Sequence, residues 1–269
     1  MGTVSERRIH GIDFSGGTNA AEDIWITTGE VVDDQLEVHK CRSAAKQFGT
    51  SSRCATLKTL HEFIADHEQS VFGLDFSFSV PASVTDKERW LEVVESISGH
   101  SSAKEMQDSY SERARASDYD GVHLKRTTDN DRNALSPYGF ITFRQTFYGV
   151  KHVLKPLLDK DLVSVLPMQK RDSTRPWVFE VYPASTLRRL GSFDSGYKKQ
   201  TVESRHRRAQ NVDDLRDSEV EITDKAAQHA RYIDDALDSL VAAFATFRTV
   251  RDGPPAVDEA SHPEGHIYV

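Results

Sequence analysis

The chain has 269 residues, 38% of them hydrophobic, with 34 basic and 42 acidic side chains giving a formal net charge of −8. That length suits one large domain, 1–269, carrying an insertion, and the acidic total argues against bulk, sequence-independent affinity for nucleic acid without excluding local basic patches. The two cysteines, Cys41 and Cys54, form no CxxC pair, which leaves no cysteine zinc site or disulfide framework and reads as two reduced thiols.

Arg8 to Phe14 reads as the first strand, with Ile12 and Phe14 on one face and Asp13 on the other. Ser15-Gly16-Gly17-Thr18 then turns the chain. Asp23 to Thr28 and Gln35 to Cys41 alternate again, with turn residues at Gly29 and Asp33-Asp34, which predicts an antiparallel meander. Ala55, Leu57, Leu60, Phe63 and Ile64 recur at helical spacing behind Ser51-Ser52. Ser70 to Phe76 follows as a fourth strand, and Gly73-Leu74-Asp75-Phe76-Ser77 nearly copies Gly11-Ile12-Asp13-Phe14-Ser15. A helical crossover makes the fourth strand parallel to the first. Asp13 and Asp75 then lie side by side where the strands end, and two anions so placed call for a cation between them.

A helix is expected from Thr85 to Ile97. From Ser98 to Pro137 apolar residues thin out and Ser, Asp, Lys and Arg dominate, predicting an insertion at about 98–137 that is either a mobile flap or a weakly packed subdomain. Phe143, Phe147, Val150, Leu154, Leu157 and Leu158 mark an amphipathic helix. Trp177 to Tyr182 reads as a fifth strand stopped by Pro183, which opens a short helix ending at Gly191. Arg188, Arg189, Lys198, Lys199, Arg205, Arg207 and Arg208 then make a basic stretch, followed by an acidic one from Asp213 to Asp224. The last helix is expected to run unbroken from about Asp224 to Val250, with Ala226, Ala230, Ile233, Leu237, Leu240, Val241 and Phe244 as its apolar stripe. The tail after Pro254 is polar until Gly265-His266-Ile267-Tyr268-Val269, an edge strand or a disordered end. The first eight residues lack the apolar run of a signal peptide, and no stretch approaches the ~20 residues of a membrane span, so a cytoplasmic protein is expected.

Four carboxylates stand out. Asp13 and Asp75 end adjacent strands, while Asp235 and Asp238, three residues apart, share a face of the last helix. An all-oxygen donor set suits Mg²⁺ or Mn²⁺, and two such ions ~4 Å apart would serve phosphodiester hydrolysis. Taken singly, a strand-end aspartate is usually a turn residue and an Asp pair on a helix a solvated face. The duplicated strand motif and the apolar run beyond Asp238 shift that balance toward metal. Glu180 alternates with apolar neighbours near a strand end and is either a further ligand or a hydrogen-bonded structural acid. Lys198, Arg205, Arg207 and Arg208 are the expected phosphate contacts, against the plainer reading of a solvated connection.

The segments GIDFSGG, FGLDFSFSVP, SPYGFITFRQTFYGV, VFEVYPASTLRRLG with the later GYK, and DDALDSLVAAF, spread from residue 9 to about 247, resemble the DUF429 family, described as predicted nucleases of the ribonuclease H-like fold. The resemblance implies a five-stranded mixed sheet in βββαβαβα order with helices on both faces. It also implies metal binding by the first-strand, fourth-strand and final-helix acids, here Asp13, Asp75 and Asp238 with Asp235 as partner. Asp235-Ala-Leu-Asp238 is also similar to the final-helix pattern of Holliday-junction resolvases, with Ser239 in place of their alanine. Two other readings compete. One is a nucleotide-binding protein of the actin and sugar-kinase group, for which Ser15 to Thr18 would cradle a phosphate; the other is a non-catalytic nucleic-acid-binding module.

Overall fold

The computed structural model describes residues 7–117, 119–253 and 263–269. The first six residues and most of the polar tail after Pro254 lie outside the described residues. Among these, eight strands make one mixed sheet: β1 (Arg8–Asp13), β2 (Trp25–Val32), β3 (Gln35–Ser43), β4 (Ser70–Asp75), β5 (Ser164–Leu166), β6 (Trp177–Val181), β7 (Val220–Ile222) and β8 (Ile267–Tyr268). Their order is β5-β6-β4-β1-β2-β3-β7, with β8 alongside β6. The five expected strands are the contiguous centre. β1 pairs antiparallel with β2 and parallel with β4. The three additional strands have two or three residues each, too short to show a period of two. β5 flanks Trp177 to Phe179 of β6 while β8 flanks Glu180 and Val181, so the two share one edge.

Helices cover both faces. On one, Ile12, Phe14, Phe72, Leu74 and Phe76 pack against the helices Arg53–Ala65, Trp90–Gly99 and Ala103–Arg115 and the helical run from Phe143 to Asp159, whose centre (Val150–Leu154) is a π turn. On the other, Ile9, Val71, Phe179 and Val181 pack against Pro183–Leu190, Val202–Arg216, Asp224–Tyr232 and Asp234–Asp252. No helix among the described residues is long and apolar enough to cross a membrane.

Three expectations need correction. The stretch read as a polar insertion contributes Met106, Tyr110 and Ala114, at i, i+4 and i+8 of one helix, to the main core. A narrow stripe is enough to bury a helix whose other faces are polar. The basic stretch is not one solvated connection: Arg188 and Arg189 end the helix Pro183–Leu190, Lys198 and Lys199 lie in a turn, and Arg205, Arg207 and Arg208 belong to the helix Val202–Arg216, in which Arg208 is buried. The last helix is broken: Ile233 is extended (φ −126°, ψ 121°), so a second helix starts at Asp234. The guanidinium of Arg208 stabilises that break by donating to the carbonyls of Arg231 (3.1 Å) and Tyr232 (3.3 Å), which end the first helix without intrahelical partners.

Candidate functional site

Asp13 and Asp75 occupy matching positions in the parallel β1/β4 pair, and Gly11 and Gly73 match two residues earlier. The glycines decide what lies opposite. A Cβ on Gly11 would stand 2.0 Å from the Ala243 amide nitrogen and 2.3 Å from the Ser239 carbonyl, and one on Gly73 would stand 1.9 Å from Thr246 Oγ1. The helix Asp234–Asp252 therefore rests directly on the backbone of β1 and β4, with Ala236, Ala242, Ala243 and Ala245 buried beneath it. Because that helix begins only at Asp234, its first two turns carry Asp235 and Asp238 to the end of the sheet where Asp13 and Asp75 stand. The favourable helix N-terminus lies beneath these acids.

Asp13 and Asp238 are buried, at 8% and 1% exposure, while Asp75 and Asp235 are partly buried. Burial, followed by the charges of Asp238, Asp75 and Asp235, holds the Asp13 carboxyl well above the usual carboxylate range. Burial and then Asp238 push Asp75 up to about 7, against the opposing field of Lys198. Asp235 also rises to about 7, through burial and then Asp234 and Asp238. Asp13, Asp75 and Asp235 resist ionisation because they are buried and because other acids are near, which is the electrostatic signature of a site that a cation would relieve.

Two residues of the Gly196-Tyr197-Lys198 turn complete the cluster. Lys198 Nζ lies 2.6 Å from Asp238 Oδ2, and the Tyr197 hydroxyl donates to Asp238 Oδ1 at 2.8 Å. Asp238, aided by Asp13, raises the Lys198 ammonium above its ordinary range. Gly196 takes φ +73°, and a Cβ there would meet Arg207 Nη1 at 2.2 Å. Only glycine fits that turn, and the turn aims both side chains at Asp238.

Other expected site residues fall elsewhere. Glu180 is buried beside Asp75, but its oxygens accept from Arg126 Nη2 (2.5 Å), Arg126 Nη1 (2.9 Å) and the Phe78 amide (2.9 Å). It is the structural acid of the two alternatives, correcting its place among the metal ligands. Arg208 is corrected likewise: it has no exposed surface and grips the Tyr197 and Lys199 carbonyls as well as the helix end. Arg207 pairs with Glu203 (2.5 Å) and packs on Phe193, whereas Arg205 is exposed over the Tyr232 ring. The Ser15–Thr18 turn is not an open phosphate cradle. Gly16 is pressed against the Arg144 carbonyl, where a Cβ would stand at 2.4 Å, and its own oxygen accepts from Arg53.

A cavity of about 200 Å³ opens beside Asp13 and Asp75, lined also by Ser77, Gln145, Tyr182 and Lys198. Leu135 and Ile141 form part of its wall, and Ile141 is 76% exposed. Among the described residues, the three possible ligand atoms lying within 4.8 Å of one another are instead those of Glu30, Glu37 and His39 on the surface of β2 and β3. There His39 Nε2 already contacts Glu30 Oε1 at 2.9 Å. The strand-end acids are gathered without closing into so tight a set.

The model of DUF429, described as a protein family of unknown function, matches residues 157–260. Over that segment the chain is similar to DUF429. The DUF429 segment carries Glu180, Tyr197, Lys198, Asp235 and Asp238, whereas Asp13 and Asp75 come from the part of the chain before it. No curated protein and no solved structure matches the chain. Sequence reasoning passed over Tyr197 and Arg126. Tyr197 sits in the GYK run already noted, and a positive-φ glycine before a tyrosine and lysine was the signal for it. Arg126 had none, because its partners Asp129 and Glu180 are joined to it only by the fold.

Proposed function

We propose that the chain is a metal-dependent nuclease of ribonuclease H-like fold that hydrolyses phosphodiester bonds in nucleic acid in the cytoplasm. The central order β6-β4-β1-β2-β3, with acid-bearing ends on the two middle parallel strands, supports the fold reading. The observation that carries the function is the convergence of Asp13 and Asp75 with Asp235 and Asp238 at one end of the sheet, where burial and then the neighbouring acids hold Asp13, Asp75 and Asp235 back from ionising. The all-carboxylate donor set fits a hard divalent cation, Mg²⁺ or Mn²⁺. Such a cation, when bound, supplies a water activated for attack and offsets charge on the phosphodiester.

The chain's own groups divide the remaining work. Asp13, between Asp75 and Asp238, anchors the cation, and Asp235 assists from the helix start. Lys198 and the exposed Lys199 and Arg205 hold phosphate oxygens by charge, as an acidic protein must concentrate its cations locally. Exposed Ile141 in the cleft wall and exposed Phe140 next to it in the chain offer apolar surface for bases, and the Phe140 ring is one on which a base can stack.

The test is cleavage of single-stranded, duplex, hybrid and branched substrates with Mn²⁺, by wild type and by Asp13→Asn. Cleavage by wild type and its loss in the variant are expected. Equal cleavage by both would remove Asp13 from the chemistry, and an inert wild type on every substrate would leave a binding role.

A further inference from the structure

Resting on the metal-centre reading above, we propose that Lys198 supplies the second of two cationic groups at this centre, so that it takes one divalent ion and not two. The sequence pattern alone led to an expectation of two ions. The side-chain arrangement divides the acids into two unlike halves. In one, Asp13 and Asp75 occupy paired positions on neighbouring strands, with no basic side chain hydrogen-bonded to either among the described contacts. In the other, both oxygens of Asp238 are already engaged, Oδ2 by the Lys198 ammonium and Oδ1 by the Tyr197 hydroxyl.

The lysine is delivered by a built loop. Tyr197 is 1% exposed, and Arg208 grips the carbonyls of Tyr197 and Lys199, the residues on either side of Lys198. Gly196 sets the turn against Arg207. Although 61% of the Lys198 side chain is open to solvent, its head is turned inward onto a carboxylate that is 1% exposed. An unrestrained surface lysine gains little from one such contact and remains mobile. Here the backbone on both sides is fixed, so the ammonium holds a defined position. Its field reaches Asp13 and Asp75 as well as Asp238, and a compact point charge is what a second ion would otherwise provide.

The experiment counts bound Mn²⁺ by calorimetric titration and by electron paramagnetic resonance in wild type, Lys198→Met and Lys198→Arg. Methionine keeps the length without the charge, and arginine keeps the charge. Wild type is expected to bind one Mn²⁺ at the centre, Lys198→Met two, and Lys198→Arg one. The Met variant should also melt lower than wild type without metal and recover with Mn²⁺. Two ions in wild type would overturn the lysine's role and leave the metal centre standing. One ion in all three proteins, at whatever affinity, would also overturn it. No Mn²⁺ bound by any of them would overturn the metal centre itself, a separate outcome from the other two. The exposed stem of Lys198 makes these substitutions compatible with folding, and the circular dichroism spectrum of each variant checks that.

Discussion

Replacing Asp13 by Asn leaves its shape and removes one charge from four crowded carboxylates. Activity with Mn²⁺ should fall by more than the roughly 10–100-fold that loss of a metal site's outer partners costs, while the metal-free variant should melt at a higher temperature than wild type because repulsion is relieved. Differential scanning calorimetry with and without Mn²⁺ reads both halves, and a metal-free variant that melts lower would contradict the charge argument. The pH dependence has a definite sign. Asp75 and Asp235 have folded values near 7 against an ordinary 3.8, so between those limits the folded state binds protons that the unfolded state has released. Stability from these two groups is fully present below about pH 4 and is lost as pH rises through 7. The metal-free melting temperature should therefore decline over that window, and the decline should shrink in Asp75→Asn. Saturating Mn²⁺ should flatten it.

At the scale of elements, the site is made by contact between a helix and two strands that lack side chains where they touch. Gly11→Ala inserts a methyl group against backbone that cannot swing aside, and should destabilise the fold by about 1–3 kcal/mol or more, read as a lower urea midpoint. It should also weaken Mn²⁺ binding, since Asp235 and Asp238 ride on the displaced helix. Arg208→Ala should cost a similar amount by leaving buried carbonyls without donors, whereas Arg205→Ala should leave stability unchanged and reduce the salt dependence of nucleic-acid binding by about one unit of slope. A lowered slope with Arg208→Ala at full stability would reverse the assignment of the two arginines. The pairing of β1 with β4 was legible in the duplicated motif, because equal strands joined by a crossover come to lie parallel and in register. The approach of the helix was half legible: its apolar stripe at Leu237, Leu240, Val241 and Phe244 was noticed, but the glycines opposite it are informative only once the strands are known to be adjacent. The break at Ile233 was not legible. Its apolar spacing continues the helical period, and the cause is a guanidinium from a different helix. Glu180 and Arg208 were misread for the same reason, since burial among distant partners leaves no trace in local charge patterning.

At the scale of the whole molecule, residues 263–269 tie together parts far apart in the chain. Glu264 accepts from the amides of Ala82 and Thr127, each at 2.7 Å, and the Ile267 amide donates to Thr128 Oγ1 at 2.9 Å. Arg126 joins this clasp to the sheet: it donates to the Glu264 carbonyl and to Glu180, and Asp129 holds it from its own helix. Arg126→Met would strand Glu180 and Asp129 as buried acids without their counter-charge, and should cost about 3–5 kcal/mol, seen as a lowered thermal midpoint. Double substitution with Glu180→Gln should recover part of that loss, and a strictly additive pair would show that the two do not act together.

The clasp also bears on the order in which a growing polypeptide acquires its parts. Asp13 and Asp75 leave the ribosome early, but the wall beside them includes Ile267, and its supports at Ala82, Thr127 and Thr128 find their partners only after Glu264 has emerged. The acid-bearing strands must therefore wait, paired but incompletely enclosed, until Glu264 and Ile267, about 190 residues after Asp75, are available.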